Sequence, residues 1–112
     1  MKTVDEIYQF IADNINTVIK ENWKSAELNV EAIGQMVSNT GTYINSTGES
    51  KQIDVDEFDF QLTFDLLELQ QITTEKDNNK WNRATFTLTP DGKFDMEFKW
   101  DQQLQDEIER LS

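Results

Sequence analysis

Two stretches of alternating apolar and polar residues flank the sequence Thr89-Pro90-Asp91-Gly92 near the end of the chain. Alternation with a period of two is typical of strands that bury only one side, and it runs over residues 83–88 and 93–100. Proline, aspartate and glycine in that order favour a type I turn followed by a bulge, which determines which residues pair. The sequence therefore predicts an antiparallel hairpin, and the fold must contain a sheet with one buried face.

The first segment of the chain has the pattern of an amphipathic helix. Thr3 and Glu6 form a capping box, which predicts a helix that begins near Val4. The apolar residues that follow have the spacing of one helical face, so this helix is expected to pack on the core. They are Val4, Ile7, Tyr8, Ile11, Ile15, Val18, Ile19 and Trp23.

The period changes to two after Trp23. Residues 26–32 alternate, Gly34 interrupts them, a weaker run follows over residues 36–44, and a turn over 46–49 leads into residues 51–55. These signals predict a three-stranded antiparallel meander. Gly41, inside the middle strand, indicates either a bulge or a close approach of another chain segment.

Residues 56–77 carry conflicting signals. Positions 58–66 alternate as in a strand, whereas positions 66–72 have helical spacing. The length of this segment favours a helix that ends at Asp77-Asn78-Asn79, because about twenty residues would make an unusually long strand. Such a helix is apolar on two sides: Phe60, Phe64 and Leu67 on one, Phe58, Leu62, Leu66 and Leu69 on the other. One side can face the sheet, and the other needs a second helix, a loop, a homodimer or a partner protein to cover it.

The predicted order of elements is α-β-β-β-α-β-β-α, with a short last helix over residues 102–111. This order predicts a single α+β domain over residues 1–112: an antiparallel five-stranded sheet with helices on one face. The other face of the sheet is expected to be polar and mixed in charge, with Glu27, Glu31, Arg83, Asp95 and Glu97 on it.

The missing residue types restrict the chemistry. The chain has no cysteine and no histidine, which excludes disulfides, thiolate or imidazole zinc sites and the usual nucleophile-histidine pairs. We therefore predict no enzyme, no catalytic residues and no cofactor. Asp54, Asp56 and Asp59 lack the glycine and distant glutamate of an EF-hand, although a carboxylate-based metal-binding protein or enzyme stays an alternative.

The sequence has neither a signal-peptide pattern nor a membrane span, so a soluble, unprocessed protein is expected.

Charge is the strongest indication of function. The chain has 22 acidic and 10 basic residues, a net charge of −12, and residues 52–75 contain no lysine or arginine. This balance argues against binding nucleic acid or an anionic membrane and favours a basic protein partner, although acidity can also serve solubility alone. An acidic homodimeric scaffold is a further alternative. The predicted partner-binding residues are Tyr43, Asp54, Asp56, Glu57, Asp59, Asp65 and Glu68, with Phe58 as a second apolar anchor.

Three parts of the sequence together resemble one known family. They are the opening Ile7-Tyr8-x-x-Ile11-Ala12-Asp13-x-Ile15-Asn16, the acid-rich centre, and Trp81-Asn82 through Asp91-Gly92-Lys93-Phe94 to Asp101. In this order they are similar to the YezG-like immunity proteins of bacterial polymorphic toxin and contact-dependent inhibition systems. The resemblance implies a small cytoplasmic antitoxin that binds the C-terminal toxin domain, often a nuclease, of a secreted protein. It transfers no residue role, because the family has no fixed catalytic motif.

Overall fold

The predicted order of helices and strands is confirmed. A computed structural model describes residues 3–33, 36–75 and 80–111, and within them three α-helices and one five-stranded antiparallel sheet are present. The helices are α1 (Val4–Val18), α2 (Gln61–Glu75) and α3 (Gln102–Leu111). The strands are β1 (Trp23–Ile33), β2 (Met36–Asn45), β3 (Ser50–Ile53), β4 (Arg83–Leu88) and β5 (Phe94–Lys99), and a short 3-10 helix spans Val55–Glu57.

The sheet is built outward from β1. Its strand order is β3-β2-β1-β4-β5, so β1 pairs with the meander on one side and with the hairpin on the other. In the hairpin, Leu88 pairs with Phe94, and the Gly92 amide donates to the Thr89 carbonyl oxygen at 3.0 Å. Gly92 has a φ of 89°, which only glycine adopts easily. The predicted turn and register are thus confirmed.

The two faces of the sheet differ as the alternation predicts. Leu28 and Val30 on β1 and Phe86 on β4 are buried beneath α1 and α2. The intervening residues point to the other face, where Glu31 lies opposite Arg83 and Thr85 lies opposite Glu97. The helices therefore share one face, and the polar face of mixed charge carries no helix in the described ranges.

The first helix begins as predicted but ends sooner. The Glu6 amide donates to Thr3 Oγ1 at 3.2 Å and the Thr3 amide donates to Glu6 Oε1 at 3.1 Å, which completes the capping box. The helix ends at Val18 with Ile19 as its cap, and Trp23 begins β1. Trp23 is thus not on the helical face, because helical and strand spacing coincide over so few residues.

The ambiguity over residues 58–66 is resolved in favour of a helix that begins late. The chain leaves β3 at Ile53, two residues earlier than predicted, and α2 begins only at Gln61. Leu62, Leu66 and Leu69 are buried, so the helix has one covered side as expected. Its predicted end at 77–79 lies outside the described residues.

Gly41 marks a close approach and not a bulge. It pairs with Leu28 and Ile53 in uninterrupted register, and a Cβ added there would lie 3.0 Å from Ile53 Cδ1 and 3.3 Å from the Glu27 carbonyl oxygen. The β1–β2 register shift lies elsewhere, between Trp23 and Ser25.

The sequence Trp81-Asn82, which precedes β4, joins three elements. Trp81 is 1% exposed, its Nε1–H donates to Thr73 Oγ1 on α2 at 2.7 Å, and its ring centroid lies 5.0 Å from that of Phe98 on β5. Asn82 Nδ2 donates to the Asp101 carbonyl oxygen at 2.8 Å, and its Oδ1 accepts from the Asp101 amide at 2.7 Å. This pair of bonds fixes the main chain directly before α3.

Arg83 adds an ionic link at the same place. Its Nε lies 2.7 Å from Asp101 Oδ2 and its Nη1 lies 2.6 Å from Glu31 Oε1. The hydrogen bond with Asp101 is the main cause that raises the pKa of Arg83. Since α3 has no fully buried residue among those described, we expect the contacts of Asn82 and Arg83 with Asp101 to contribute to holding its start in place.

Replacing Asn82 with alanine tests this contribution. The Asp101 amide and carbonyl would lose their partners, so we expect the free energy of unfolding to fall by about 1–3 kcal/mol. Amide exchange over residues 101–111 should accelerate more than exchange in β1. Urea denaturation and hydrogen exchange measure the two effects. Asn16→Ala on the exposed side of α1 is the control and should not lower stability, because alanine is the better helix former; equal losses in the two variants would contradict the role of Asn82.

Candidate functional site

Four of the predicted partner-binding carboxylates lie in one short, exposed stretch between β3 and α2. We call residues 54–59, with Asp54, Asp56, Glu57 and Asp59, the acidic segment; all four side chains are exposed. Asp54 Oδ1 accepts from the Asp56 amide at 3.2 Å, and Asp59 Oδ1 accepts from the Gln61 amide at 2.9 Å. These bonds stabilise the starts of the 3-10 helix and of α2, because short carboxylates cap the free amides at helix starts.

No ion pair among the described residues neutralises the charges of the acidic segment. Among the described residues, the ion pairs involve other carboxylates, on Glu21, Glu31, Asp91 and Asp101. The four carboxylates therefore repel one another, and no described lysine or arginine lies within ion-pair distance of them. A protein surface with this property attracts a basic partner over several ångströms.

A buried asparagine on α1 fixes the acidic segment in place. The Asp59 amide donates to Asn14 Oδ1 at 2.8 Å, and Asn14 Nδ2 donates to the Phe10 carbonyl oxygen at 2.9 Å. Asn14 is only 8% exposed, so this bond is shielded from water. The acidic segment is thus held before any partner binds, which lowers the entropy lost on binding.

The two remaining predicted carboxylates do not join this surface. Asp65 is 1% exposed on the inner side of α2, where Gln61 Nε2 donates to its Oδ1 at 3.1 Å. Glu68 is half-buried, and its Oε1 has no hydrogen-bond partner among the described residues. Asp65 lies on the covered side of the helix, one turn before the buried Leu69.

Tyr43 has a hydrogen-bond partner within the chain. It is half-buried on β2, and its hydroxyl donates to Glu21 Oε2 at 2.6 Å, while Lys51 Nζ lies 3.2 Å from the same oxygen. The Tyr43 hydrogen bond, followed by that of Lys51, lowers the pKa of Glu21, and Glu21 in turn raises the pKa of Tyr43. Tyr43 and Asp54 line one depression of about 220 Å³, so the structure does bring these two predicted residues together.

Two exposed aromatics lie next to the acidic segment and were not among the predicted site residues. Phe60 is 79% exposed and Phe64 is 56% exposed, whereas Phe58, the predicted anchor, packs against the core. The spacing of α2 had shown two apolar sides. It contained no signal for which side the sheet would cover.

The described residues contain neither a metal-binding cluster nor a membrane-spanning helix. No group of three or more carboxylates in residues 3–33, 36–75 and 80–111 is arranged to hold a metal ion. Within the same ranges, none of the helices has the length and apolar character needed to cross a membrane.

Acidification tests the Glu21 contacts. Because the pKa of Glu21 is lowered from 4.5, its hydrogen bonds stabilise the fold above that value, and this stabilisation is lost as the pH falls through the lowered pKa. We expect Glu21→Gln to be less stable than the wild-type chain at about pH 7, and the gap to narrow toward about pH 3. The urea concentrations at the midpoints of unfolding measure this difference in stability. On its own, Tyr43→Phe should lower the urea midpoint less at low pH than at neutral pH. Added to Glu21→Gln, it should have an effect that does not change with pH. A difference between Glu21→Gln and the wild-type chain that stays the same at all pH values would contradict the assignment.

Comparison with known proteins identifies the family of this chain. No curated protein matches the chain. The family model described as "Immunity protein YezG-like" matches residues 4–112, which is nearly the whole chain and includes α1, the acidic segment and the Trp81-Asn82 link to Asp101. The chain therefore belongs to the YezG-like family of immunity proteins.

Proposed function

We propose that this immunity protein neutralises a basic, nucleic-acid-cleaving toxin domain by placing the acidic segment against the toxin's substrate-binding surface. Membership of the family supports the immunity role and the existence of a toxin partner. The observation that carries the finer proposal is the exposure of four carboxylates within six residues, none of them in an ion pair with a described residue.

The nuclease part of the proposal follows from charge. A nuclease binds phosphates with lysine and arginine, and a row of carboxylates presents the same sign of charge. Bound there, the acidic segment would exclude the nucleic acid without any chemical step by the immunity protein. In this proposal the encounter takes place in the cytoplasm, where the substrate of such a toxin lies.

The rigidity of the acidic segment favours a preformed surface that blocks the toxin directly, and it disfavours a mechanism in which a disordered acidic tail binds. The hydrogen bond from Asp59 to buried Asn14 and the turns capped by Asp54 and Asp59 hold the main chain of the acidic segment in one shape. Charge complementarity then accelerates association, and the preformed shape lowers the ordering entropy lost in the complex.

The test neutralises three carboxylates of the acidic segment. Asp56→Asn, Glu57→Gln and Asp59→Asn are combined, since asparagine at 59 keeps an oxygen that caps the Gln61 amide. The partner is an inactivated copy of the cognate toxin domain. We expect association to be at least about tenfold slower at low ionic strength, because steering of this kind accelerates encounters by 10–1,000-fold. The difference should shrink in about 1 M salt, where the Debye length is about 3 Å.

A matched control separates position from net charge. Glu27→Gln, Asp95→Asn and Glu97→Gln remove the same three charges from the polar face of the sheet, where all three side chains are exposed. This variant should associate nearly as fast as the wild-type chain. Equal slowing by both variants would show that only net charge matters, and unchanged association of the first would remove the acidic segment from the interface. A toxin domain that leaves RNA and DNA intact would contradict the nuclease part.

A further inference from the structure

Two phenylalanines stand next to the acidic segment with most of their surface in water. Phe60 directly follows Asp59, and Phe64 lies one helical turn further on, with 79% and 56% of their surfaces exposed. Their ring centroids are 6.5 Å apart at an interplanar angle of 84°, an edge-to-face contact. We call these two residues the aromatic pair.

The aromatic pair has no role in holding α2 on the sheet. That role belongs to Leu62, Leu66 and Leu69, which are 0–1% exposed on the other side of the helix. Single exposed apolar residues are ordinary, but adjacent large ones are a feature of interaction surfaces. Aromatic side chains also concentrate binding energy in interfaces, particularly where a polar rim surrounds them.

The charge around the aromatic pair selects the kind of partner. Asp56 lies at most about 15 Å from Phe60 by Cα positions, since each residue spans at most 3.8 Å. A second copy of this chain that docked through the same pair would bring two acidic segments together, and residues 52–75 supply no lysine or arginine to separate them. Like charges across an interface oppose association, which disfavours the homodimer.

We infer that the aromatic pair inserts into an apolar depression on the toxin domain, rimmed by the lysines and arginines that meet the acidic segment. This inference rests on the proposed function and assigns different steps of binding to the two parts of that site. The acidic segment sets the rate of encounter through long-range attraction. The aromatic pair sets the lifetime of the complex, because its desolvation is gained only after contact and is lost on separation.

The test compares dissociation rates. Phe60→Gln and Phe64→Gln are combined, and the helix should persist, because both side chains are largely in water and glutamine is a good helix former. The complex with the inactivated toxin domain should dissociate about 100-fold faster, and the association rate should change much less, because most effects of interface mutations fall on dissociation. Circular dichroism and thermal unfolding of the free chain should match the wild-type chain.

The control removes two exposed apolar side chains elsewhere. Met36→Gln with Leu111→Gln changes residues that are 74% and 84% exposed, and this variant should dissociate at the wild-type rate. A long-lived complex with the aromatic-pair variant would overturn the inference, yet slow association of the acidic-segment variant would still support the proposed function. A wild-type chain that sediments as a dimer and becomes a monomer in the aromatic-pair variant would assign the pair to a second copy and likewise overturn the inference.

Discussion

The architecture depends on burying a single face of β1. This strand pairs with β2 on one side and β4 on the other, so its alternation of apolar and polar residues is transmitted to the whole sheet. Leu28 and Val30 are almost fully buried, whereas Glu27 and Asn29 point to the other face. Both α1 and α2 must therefore lie on the same face. Because α1 already covers part of it, α2 can bury only one of its two apolar sides, and the aromatic pair faces water beside the acidic segment.

Much of this fold could be predicted from local patterns. The capping box at Thr3, the alternation after residue 26 and the turn at Thr89-Pro90-Asp91-Gly92 each depend on neighbours within a few residues, and the structure contains all three. The predictions that went wrong were boundaries, as at Trp23 and residue 55, where a few residues satisfy two periodicities at once. Which side of α2 the sheet covers depends on distant contacts, so sequence spacing could not decide it.

The candidate site was predictable only in part, for the same reason. Charge identified the segment, and Asp54, Asp56, Glu57 and Asp59 are exposed in the structure. Charge alone could not distinguish them from Asp65, which α2 turns inward beside Leu66. The bond between Asn14 and the Asp59 amide joins residues 45 positions apart and leaves no mark in either local sequence. Partner binding by all of these residues stays a prediction.

The residues that carry the family resemblance are mostly structural. Trp81, Asn82 and Asp101 hold β4, β5 and α3 together, and they lie apart in sequence from the acidic segment. This part of the family resemblance thus describes the scaffold, whereas the acid-rich centre contributes the exposed acidic segment. Asn14 supports the same separation, because it binds the main-chain amide of residue 59 and not the side chain. Any residue except proline supplies that amide, so changing side chains 56 and 57 leaves the bond that holds the end of the loop intact.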